Sequence, residues 1–204
     1  MIELPDGVRL VLASASPRRS ELLRSVGLEF EVIPADIDES VRPDETPGAY
    51  VARLSADKAA TVAKRVGPDV IVVAADTTVD VDGLILEKPV DAGDARRMLG
   101  LLSGRTHLVH TAVTVLPSGL SFGVGSTKTG PSATIVFETS VEFVGLTPGT
   151  VEWYVATGEP FGKAGGYAIQ GAGAALVRRI DGSVTNVIGL PLAETLAMIN
   201  QPWQ

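Results

Sequence analysis

Residues 70–78 read Val-Ile-Val-Val-Ala-Ala-Asp-Thr-Thr. The part that ends at Ala75 is the longest plain apolar run of the chain, and its length suits a strand better than a helix. Because the run lacks polar alternation, it is typical of a strand that is covered on both faces of an α/β sheet. Asp76 follows directly, at a place where such sheets commonly present functional side chains. The segment therefore predicts an α/β fold with a candidate functional carboxylate at Asp76, although a helix or turn cap fits that position equally well.

The segments on both sides of this run predict further helices and strands. Ser16 suits a helix N-cap, Pro17 a first helical position and Gly27 a helix end. The glycine-rich residues 123–130 are the expected mobile loop. Caps, glycines and apolar spacing predict helices over residues 17–27, 46–67, 91–102, 147–158 and 192–199, a hairpin over 79–86, and strands over 8–13, 106–116, 135–146 and 174–180.

Size, charge and composition limit the class of protein. The 204 residues and 21.2 kDa are enough for one domain or two small lobes with a sizeable core. Seventeen Lys and Arg against 24 Asp and Glu give a net charge of −7, which argues against nonspecific binding to nucleic acid or anionic membranes. The absence of cysteine excludes disulfides, thiolate metal sites and a cysteine nucleophile. No apolar run approaches the roughly 18 residues of a membrane span and no signal peptide is visible, so we expect a cytoplasmic protein.

Two arginines stand in the first turn of a predicted helix. The helix dipole disfavours cations there by roughly 0.3–1 kcal/mol, and a bound anion would reverse that effect. Backbone N–H groups, the guanidinium groups of Arg18 and Arg19, and the hydroxyls of Ser14 and Ser16 would form a phosphate cradle at the end of a strand. The alternative is that both arginines are exposed and bind nothing.

Two lysines also occupy unusual positions. Lys58 falls on the apolar stripe of the helix predicted over residues 46–67, although lysine is seldom buried without a partner. The alternative is that its amine reaches past the edge of the helix into solvent. Lys88 precedes Pro89, which imposes an extended backbone on it, and a solvated strand end is the alternative there.

Other candidate sites fail on geometry. His107 and His110 are an odd number of positions apart in a predicted strand, so they face opposite sides and do not share a metal. Residues 125–129 superficially resemble a phosphate-binding loop, but Thr127 stands where glycine should precede the lysine, and no helix follows. Asp80 and Asp82 are expected on the solvated face of the hairpin.

Seven segments stand out by their order and spacing. They are residues 14–19 (SASPRR), 75–77 (ADT), 87–89 (EKP), 103–107 (SGRTH), 158–160 (GEP), 163–171 (KAGGYAIQG) and 182–191 (GSVTNVIGLP). In this order they resemble the motifs of the Maf family and together span nearly the whole chain. One such segment would be weak support, whereas seven in order are highly specific.

The resemblance implies a fold and an activity. The activity is that of a nucleoside triphosphate pyrophosphatase, which cuts an NTP into NMP and pyrophosphate with a divalent cation, Mg²⁺, Mn²⁺ or Co²⁺. The implied fold is a single Maf-like domain over residues 1–204, with a mixed, bent sheet, flanking helices and two lobes around a central cleft, similar to inosine triphosphatases. The Asp76-Thr77 form of the motif looks like the branch that acts on dTTP and UTP rather than on 7-methyl-GTP.

The resemblance also implies roles for single residues. Asp76 would be the catalytic base, and whether it chiefly holds the metal instead stays open. Glu39 would lie on the metal side of the site with Asp76. Gly162 departs from the family, which usually has an acidic residue there, and residues 123–130 look longer than the usual connection. The implied substrate contacts are Ser14, Arg18, Arg19, Lys58 and Lys88 for the triphosphate, with Lys58 and Lys88 also assisting catalysis, and Arg18, Thr77 and Gln170 for substrate selection.

Two other functions compete with this one. The link of the family to septum formation suggests a nucleotide-binding regulatory protein of cell division without significant turnover. A phosphotransferase would use the same anion site, but the chain has neither a phosphate-binding loop nor a kinase glycine-rich motif. The expected partner is a nucleoside triphosphate, with no nucleic acid polymer and no membrane, and a homodimer is compatible with the sequence.

Overall fold

The computed structural model of the chain describes residues 4, 6–121, 127–128 and 132–200. The strands are β1 (Arg9–Leu12), β2 (Glu31–Val32), β3 (Val70–Val81), β4 (Leu84–Leu86), β5 (Thr106–Ser118), β6 (Leu120–Ser121), β7 (Thr127–Lys128), β8 (Ala133–Phe143) and β9 (Val177–Asp181). The α-helices are α1 (Pro17–Ser25), α2 (Pro47–Val66), α3 (Ala92–Leu102), α4 (Pro148–Ala156), α5 (Val184–Ile188) and α6 (Leu192–Ile199). Short 3-10 helices cover Ala164–Gly166 and Ala172–Leu176. In this described part of the chain, no helix is both long and apolar enough to cross a membrane.

Seven of the strands form one open, mixed sheet. The order is β2-β1-β3-β5-β8-β9, and β4 pairs with β3 outside this path. The β1–β2 and β1–β3 pairs are parallel, whereas β3–β4, β3–β5, β5–β8 and β8–β9 are antiparallel. The predicted mixed α/β sheet is therefore confirmed.

The central strand β3 runs straight through Asp76. The sequence predicts a strand that ends at this residue, and that prediction is wrong because β5 pairs with β3 continuously from Val70 to Asp80. On its other edge β3 pairs with β1 only up to Val73 and with β4 only from Val79. Asp76 therefore lies where this edge of the strand is open between the end of β1 and the start of β4.

Alternation along β3 sends neighbouring side chains to opposite faces of the sheet. Val70, Val72 and Ala74 pack against Ala59 and Val62 of α2. The intervening residues Ile71, Val73 and Ala75 pack on the other face, with side chains of β1, α1 and α6. Because successive side chains alternate in a strand, Asp76 points to the α2 face and the next residue points to the α1 face.

The predicted helix starts agree with the structure better than the strand predicted over residues 174–180. Thr46, Asp91 and Thr147 each accept a capping hydrogen bond from a backbone N–H three residues later, as their spacing predicts. Ser16 is the N-cap of α1, but its side chain makes no capping bond. The strand predicted over 174–180 begins only at Val177, and its first part is the 3-10 helix already described. Helix α5 and strand β2 were not predicted.

Three further predictions concern surface and loop residues. The prediction of a solvated Asp80 is wrong, since its side chain is 13% exposed and accepts a 2.7 Å bond from the Gly83 N–H. Asp82 is exposed as expected. The predicted mobile loop over 123–130 lies outside the described residues except for 127–128, which form β7.

Candidate active site

One cavity of about 330 Å³ lies against the open edge of β3. Its volume falls at the lower end of the range for small-molecule sites, roughly 300–1,000 Å³. The residues that the sequence singled out all line it, namely Ser14, Arg18, Arg19, Glu39, Lys58, Asp76, Thr77, Lys88 and Gln170. The structure thus brings together side chains that are separated by more than half of the chain.

A chain of ion pairs crosses the floor of the cavity. Lys58 Nζ, on α2, lies 2.6 Å from Asp76 Oδ1 and 2.6 Å from Glu39 Oε1. Lys88 Nζ, just after β4, lies 3.0 Å from Glu39 Oε2. The Lys58 side chain is only 8% exposed. The alternative, in which its amine reaches solvent, is therefore wrong, because two carboxylates compensate the buried charge.

These carboxylates suit a divalent cation. Partial burial opposes ionisation of Glu39, but hydrogen bonds and charges from Lys58 and Lys88 outweigh it and lower its pKa to about 2. The Asp76 and Glu39 oxygens share the Lys58 amine, so they are at most about 5.2 Å apart, twice the 2.6 Å contact. The described residues contain no group of three or more metal-binding side chains. Two carboxylates completed by substrate phosphates are the set of ligands that Mg²⁺ commonly uses.

Arg19 is held rigidly at the opposite wall. Its Nε donates to the Gly189 carbonyl at 2.8 Å, Nη1 to Ser14 Oγ at 3.0 Å and Nη2 to Thr77 Oγ1 at 3.1 Å. A guanidinium has five N–H donors, so one remains on each terminal nitrogen. Burial lowers the pKa of Arg19, the charge of Asp76 opposes that shift, and the group stays protonated. The remaining donors form a fork that matches two oxygens of a phosphate or carboxylate.

Thr77 has its only hydroxyl proton engaged in a hydrogen-bond chain. Thr111 donates to the Asn186 carbonyl at 3.0 Å, so it must accept the 2.9 Å bond from Thr77. Thr77 in turn accepts from Arg19. The hydroxyl therefore orients Arg19 rather than offering a donor to a ligand.

Gln170 and Arg18 lie at the rim with fewer contacts. Gln170 is exposed, and its amide makes no hydrogen bond within the described residues. Arg18 is half-buried, and its Nε donates a long 3.4 Å bond to the Ile188 carbonyl. Both side chains are thus available to a ligand in the cavity.

The two histidines do not share a site. His107 is buried, and its Nε2 lies 2.7 Å from the Tyr167 hydroxyl. His110 Nε2 instead lies 3.4 Å from Asp80. The two rings therefore have separate polar partners.

A family model described as Maf-like protein matches residues 9–202. The chain belongs to the Maf family. Relatives include the dTTP/UTP pyrophosphatase of Anaeromyxobacter dehalogenans, which is 49% identical over 96% of this chain and 97% of the relative. The dTTP/UTP pyrophosphatase of Myxococcus xanthus is 46% identical over 98% of this chain and 97% of its own. That of Acinetobacter baylyi is 45% identical over 93% and 97%.

Solved structures similar to this Maf chain are more distant. A nucleoside-triphosphatase, dITP/XTP pyrophosphatase, from Mycobacterium abscessus aligns with a TM-score of 0.39 and 16% identity, over 67% of this chain and 74% of that one. The Ham1 protein of Staphylococcus aureus aligns with a TM-score of 0.45 and 14% identity, over 66% and 71%.

Sequence reasoning missed one charged residue of this Maf cavity. Lys163 lines it, yet no role was assigned to it even though it begins the segment KAGGYAIQG. With Lys163 the cavity holds five cationic side chains against two carboxylates, a net charge of +3 in a chain of −7. Its place in the sequence could have indicated this role, because Lys163 and Gln170 belong to the same glycine-rich motif, residues 163–171.

Proposed function

We propose that this chain is a nucleoside triphosphate pyrophosphatase that hydrolyses dTTP and UTP to the monophosphate and pyrophosphate. Its support is a cavity of net charge +3 that also holds two carboxylates joined through one lysine. The names of the relatives, which cover nearly the same length, favour the same reaction. The excess of cations suits a triphosphate, and the carboxylates suit activation of water at phosphorus.

Asp76 is the proposed proton acceptor. One of its oxygens accepts from Lys58, and the other, Oδ2, takes no hydrogen bond from the described residues while the side chain lines the cavity. A water beside Oδ2 could give up its proton as it attacks the α-phosphorus. Lys58, which donates to Oδ1 at 2.6 Å, keeps the carboxylate in place.

Asp76 and Glu39 would also hold the divalent cation, for which their oxygens fit. Such a cation polarises phosphoryl oxygens and lowers the pKa of a bound water. Lys88, paired with Glu39 at the mouth of the cavity, would neutralise phosphate charge there. Ser14, whose oxygen already accepts from Arg19 and from the Ser16 N–H, keeps its own proton to donate to a phosphate oxygen.

Base selection is assigned to the rim of the cavity. The Gln170 amide offers one donor and one acceptor edge, which matches O4 and N3–H of uracil or thymine. Arg18 and, through its hold on Arg19, Thr77 would fix how the nucleotide sits against that amide. Cytosine reverses the donor and acceptor, and each unsatisfied buried group costs about 1–3 kcal/mol.

A panel of nucleotides tests this proposal. The purified protein is incubated with dTTP, UTP, CTP, dCTP, ATP and GTP, each with Mg²⁺, Mn²⁺ or Co²⁺, and the nucleotide and phosphate products are separated. We expect UMP or TMP and pyrophosphate in equal amounts, and kcat/KM for UTP roughly 5- to 150-fold above that for CTP. Binding of nucleotides without any pyrophosphate release would instead support the regulatory alternative.

A further inference from the structure

Lys163 differs from the other lysines of the cavity in its partners. Its Nζ donates to the carbonyl oxygens of Glu159 at 2.6 Å and Phe161 at 3.5 Å. Lys58 and Lys88 are each paired with a carboxylate, whereas no carboxylate of the described residues lies within ion-pair distance of Lys163. Two of its three N–H donors are used, and the carboxylate that attracts its charge, Glu159, does so without a direct ion pair.

A second unpaired cation shares this part of the cavity. Arg18 also lines it, has only the Ile188 carbonyl as a hydrogen-bond partner, and makes no ion pair within the described ranges. Burial lowers the pKa of Lys163, and the positive charge of Arg18 lowers it further. Glu159 attracts Lys163 and Glu21 attracts Arg18, but neither forms an ion pair with its cation, so an anion bound between the two cations would relieve their repulsion.

The segment that carries Lys163 is fixed from behind by one carboxylate. Glu159 Oε2 accepts from the Ala172 N–H at 2.8 Å, and Oε1 accepts from the Gly173 N–H at 2.9 Å and the Tyr154 hydroxyl at 2.9 Å. This carboxylate is therefore occupied with backbone and hydroxyl donors. Glu159 thereby fixes the loop whose carbonyl oxygens accept from the Lys163 amine. Because the amine is already held in position, binding of an anion costs little additional side-chain entropy.

We infer that Lys163 and Arg18 form a subsite for the two phosphates that leave as pyrophosphate. The inference rests on the proposed function, in which the α-phosphorus must lie beside Asp76, Glu39 and Lys58. The leaving phosphates carry most of the negative charge, and Lys163 and Arg18 are the cavity cations in the described residues that no side chain holds in place. Together with the free donors of Arg19, they would stabilise the leaving group as the bond to the α-phosphorus breaks.

Calorimetric titration with inorganic pyrophosphate, in metal-free buffer, measures this subsite without turnover. The variants are Lys163→Met, Lys163→Arg and the matched control Lys64→Met, which changes an exposed lysine of α2 outside the cavity. Loss of a charge-assisted hydrogen bond to phosphate should weaken pyrophosphate binding about 10- to 100-fold in Lys163→Met. Lys163→Arg should recover most of the affinity, Lys64→Met should match the wild type, and the affinity for UMP should change less than twofold in all of them.

Kinetics of the same proteins give a second readout. Lys163→Met should raise both the KM for UTP and the inhibition constant of pyrophosphate. In the double variant Arg18→Met/Lys163→Met, the loss of pyrophosphate affinity should be smaller than the sum of the losses, in free energy, of the two single variants, because both side chains bind the same ligand. Unchanged pyrophosphate affinity in a folded Lys163→Met protein, or equal losses for pyrophosphate and UMP, would overturn the inference while leaving the proposed function intact. If the protein hydrolyses no nucleotide but still binds pyrophosphate through Lys163, the proposed function is contradicted and the anion subsite is supported.

Discussion

Asp76 is the proposed proton acceptor, since its Oδ1 accepts from Lys58 while its side chain lines the cavity. We expect Asp76→Asn to abolish turnover, since the change keeps the shape of the side chain but removes the charge needed for proton transfer or metal binding. Loss of a general base alone costs roughly 10²–10⁴-fold in rate. The measurement is kcat for UTP, with circular dichroism to verify the fold. Near-wild-type activity would reduce Asp76 to a structural residue.

Arg19 provides a second prediction about a single residue. Arg19→Ala removes the fork of donors at the cavity wall and leaves Ser14 and Thr77 without their shared partner. The KM for UTP should rise at least tenfold, because charge-assisted hydrogen bonds to phosphate are the strong kind. Arg24→Ala is the control, since Arg24 is exposed on the same helix and packs over Phe30 instead. Equal effects of the two substitutions would argue against a localised phosphate site.

Single residues were predictable where they broke a local rule. Lys58 on an apolar stripe and Arg18 and Arg19 at a helix start were unfavourable without a ligand or partner, and the structure gives Lys58 and Arg19 polar partners at the cavity. Lys163 broke no such rule, because a lysine between glycine and alanine fits any surface loop. Its amine is held by the backbone carbonyls of Glu159 and Phe161, and a bond to carbonyl oxygens leaves no pattern of side chains in the sequence.

At the level of secondary structure, the long strand β3 places two neighbouring residues, Asp76 and Thr77, on opposite walls of the cavity. Asp76 meets Lys58 of α2, and Thr77 meets Arg19 of α1, because alternation directs them to opposite faces. The sequence predicted the apolar half of this strand but ended it at the first polar residue. Asp76 and Thr77 are tolerated within the strand because Lys58 and Arg19 supply polar partners, whereas the buried hydroxyl of Thr78 has none among the described residues. Such long-range partners cannot be deduced from local spacing.

The loop between α4 and β9 depends on Glu159. In Glu159→Gln one carboxylate oxygen becomes an NH₂ group that faces a backbone N–H of Ala172 or Gly173, so a buried donor loses its acceptor. We expect a loss of about 1–3 kcal/mol in the free energy of unfolding. The KM for UTP should rise severalfold with a smaller change in kcat, since Lys163 and Gln170 shift together. Urea denaturation and steady-state kinetics measure both, and Glu152→Gln, which changes an exposed ion pair with Arg96, is the control. An unchanged KM would leave Glu159 with a purely structural role.

Strand β5 carries a prediction about pH. Burial lowers the pKa of His107 from its ordinary 6.5 to about 4, so the folded protein holds the neutral ring while the unfolded chain protonates earlier. The stabilisation is complete above pH 6.5 and is lost as the pH falls towards 4, by about 3 kcal/mol in total. His107→Gln should therefore show a free energy of unfolding that falls less between pH 7 and 4 than that of the wild type. Parallel curves for the two proteins in urea denaturation would contradict this.

In the molecule as a whole, positive charge is concentrated in the cavity and negative charge lies elsewhere. A chain of net charge −7 concentrates a net +3 in one cavity, so the rest of the molecule is strongly acidic. Composition alone therefore argued against nonspecific polyanion binding and required a local cationic cluster for any anionic ligand. The order of the sequence motifs identified the family, whereas the convergence of residues from Ser14 to Gln170 on one open sheet edge depends on the pairing of β3 with β1, β4 and β5.

In the proposed reaction, water attacks the α-phosphorus of a pyrimidine nucleoside triphosphate beside Asp76. Hydrolysis of UTP in ¹⁸O-labelled water, followed by mass spectrometry of both products, tests it most directly. We expect one labelled oxygen in UMP and none in pyrophosphate, and a rate of incorporation roughly 10²–10⁴-fold lower in Asp76→Asn. Label in pyrophosphate, release of UDP and phosphate, or near-wild-type turnover by Asp76→Asn would contradict it.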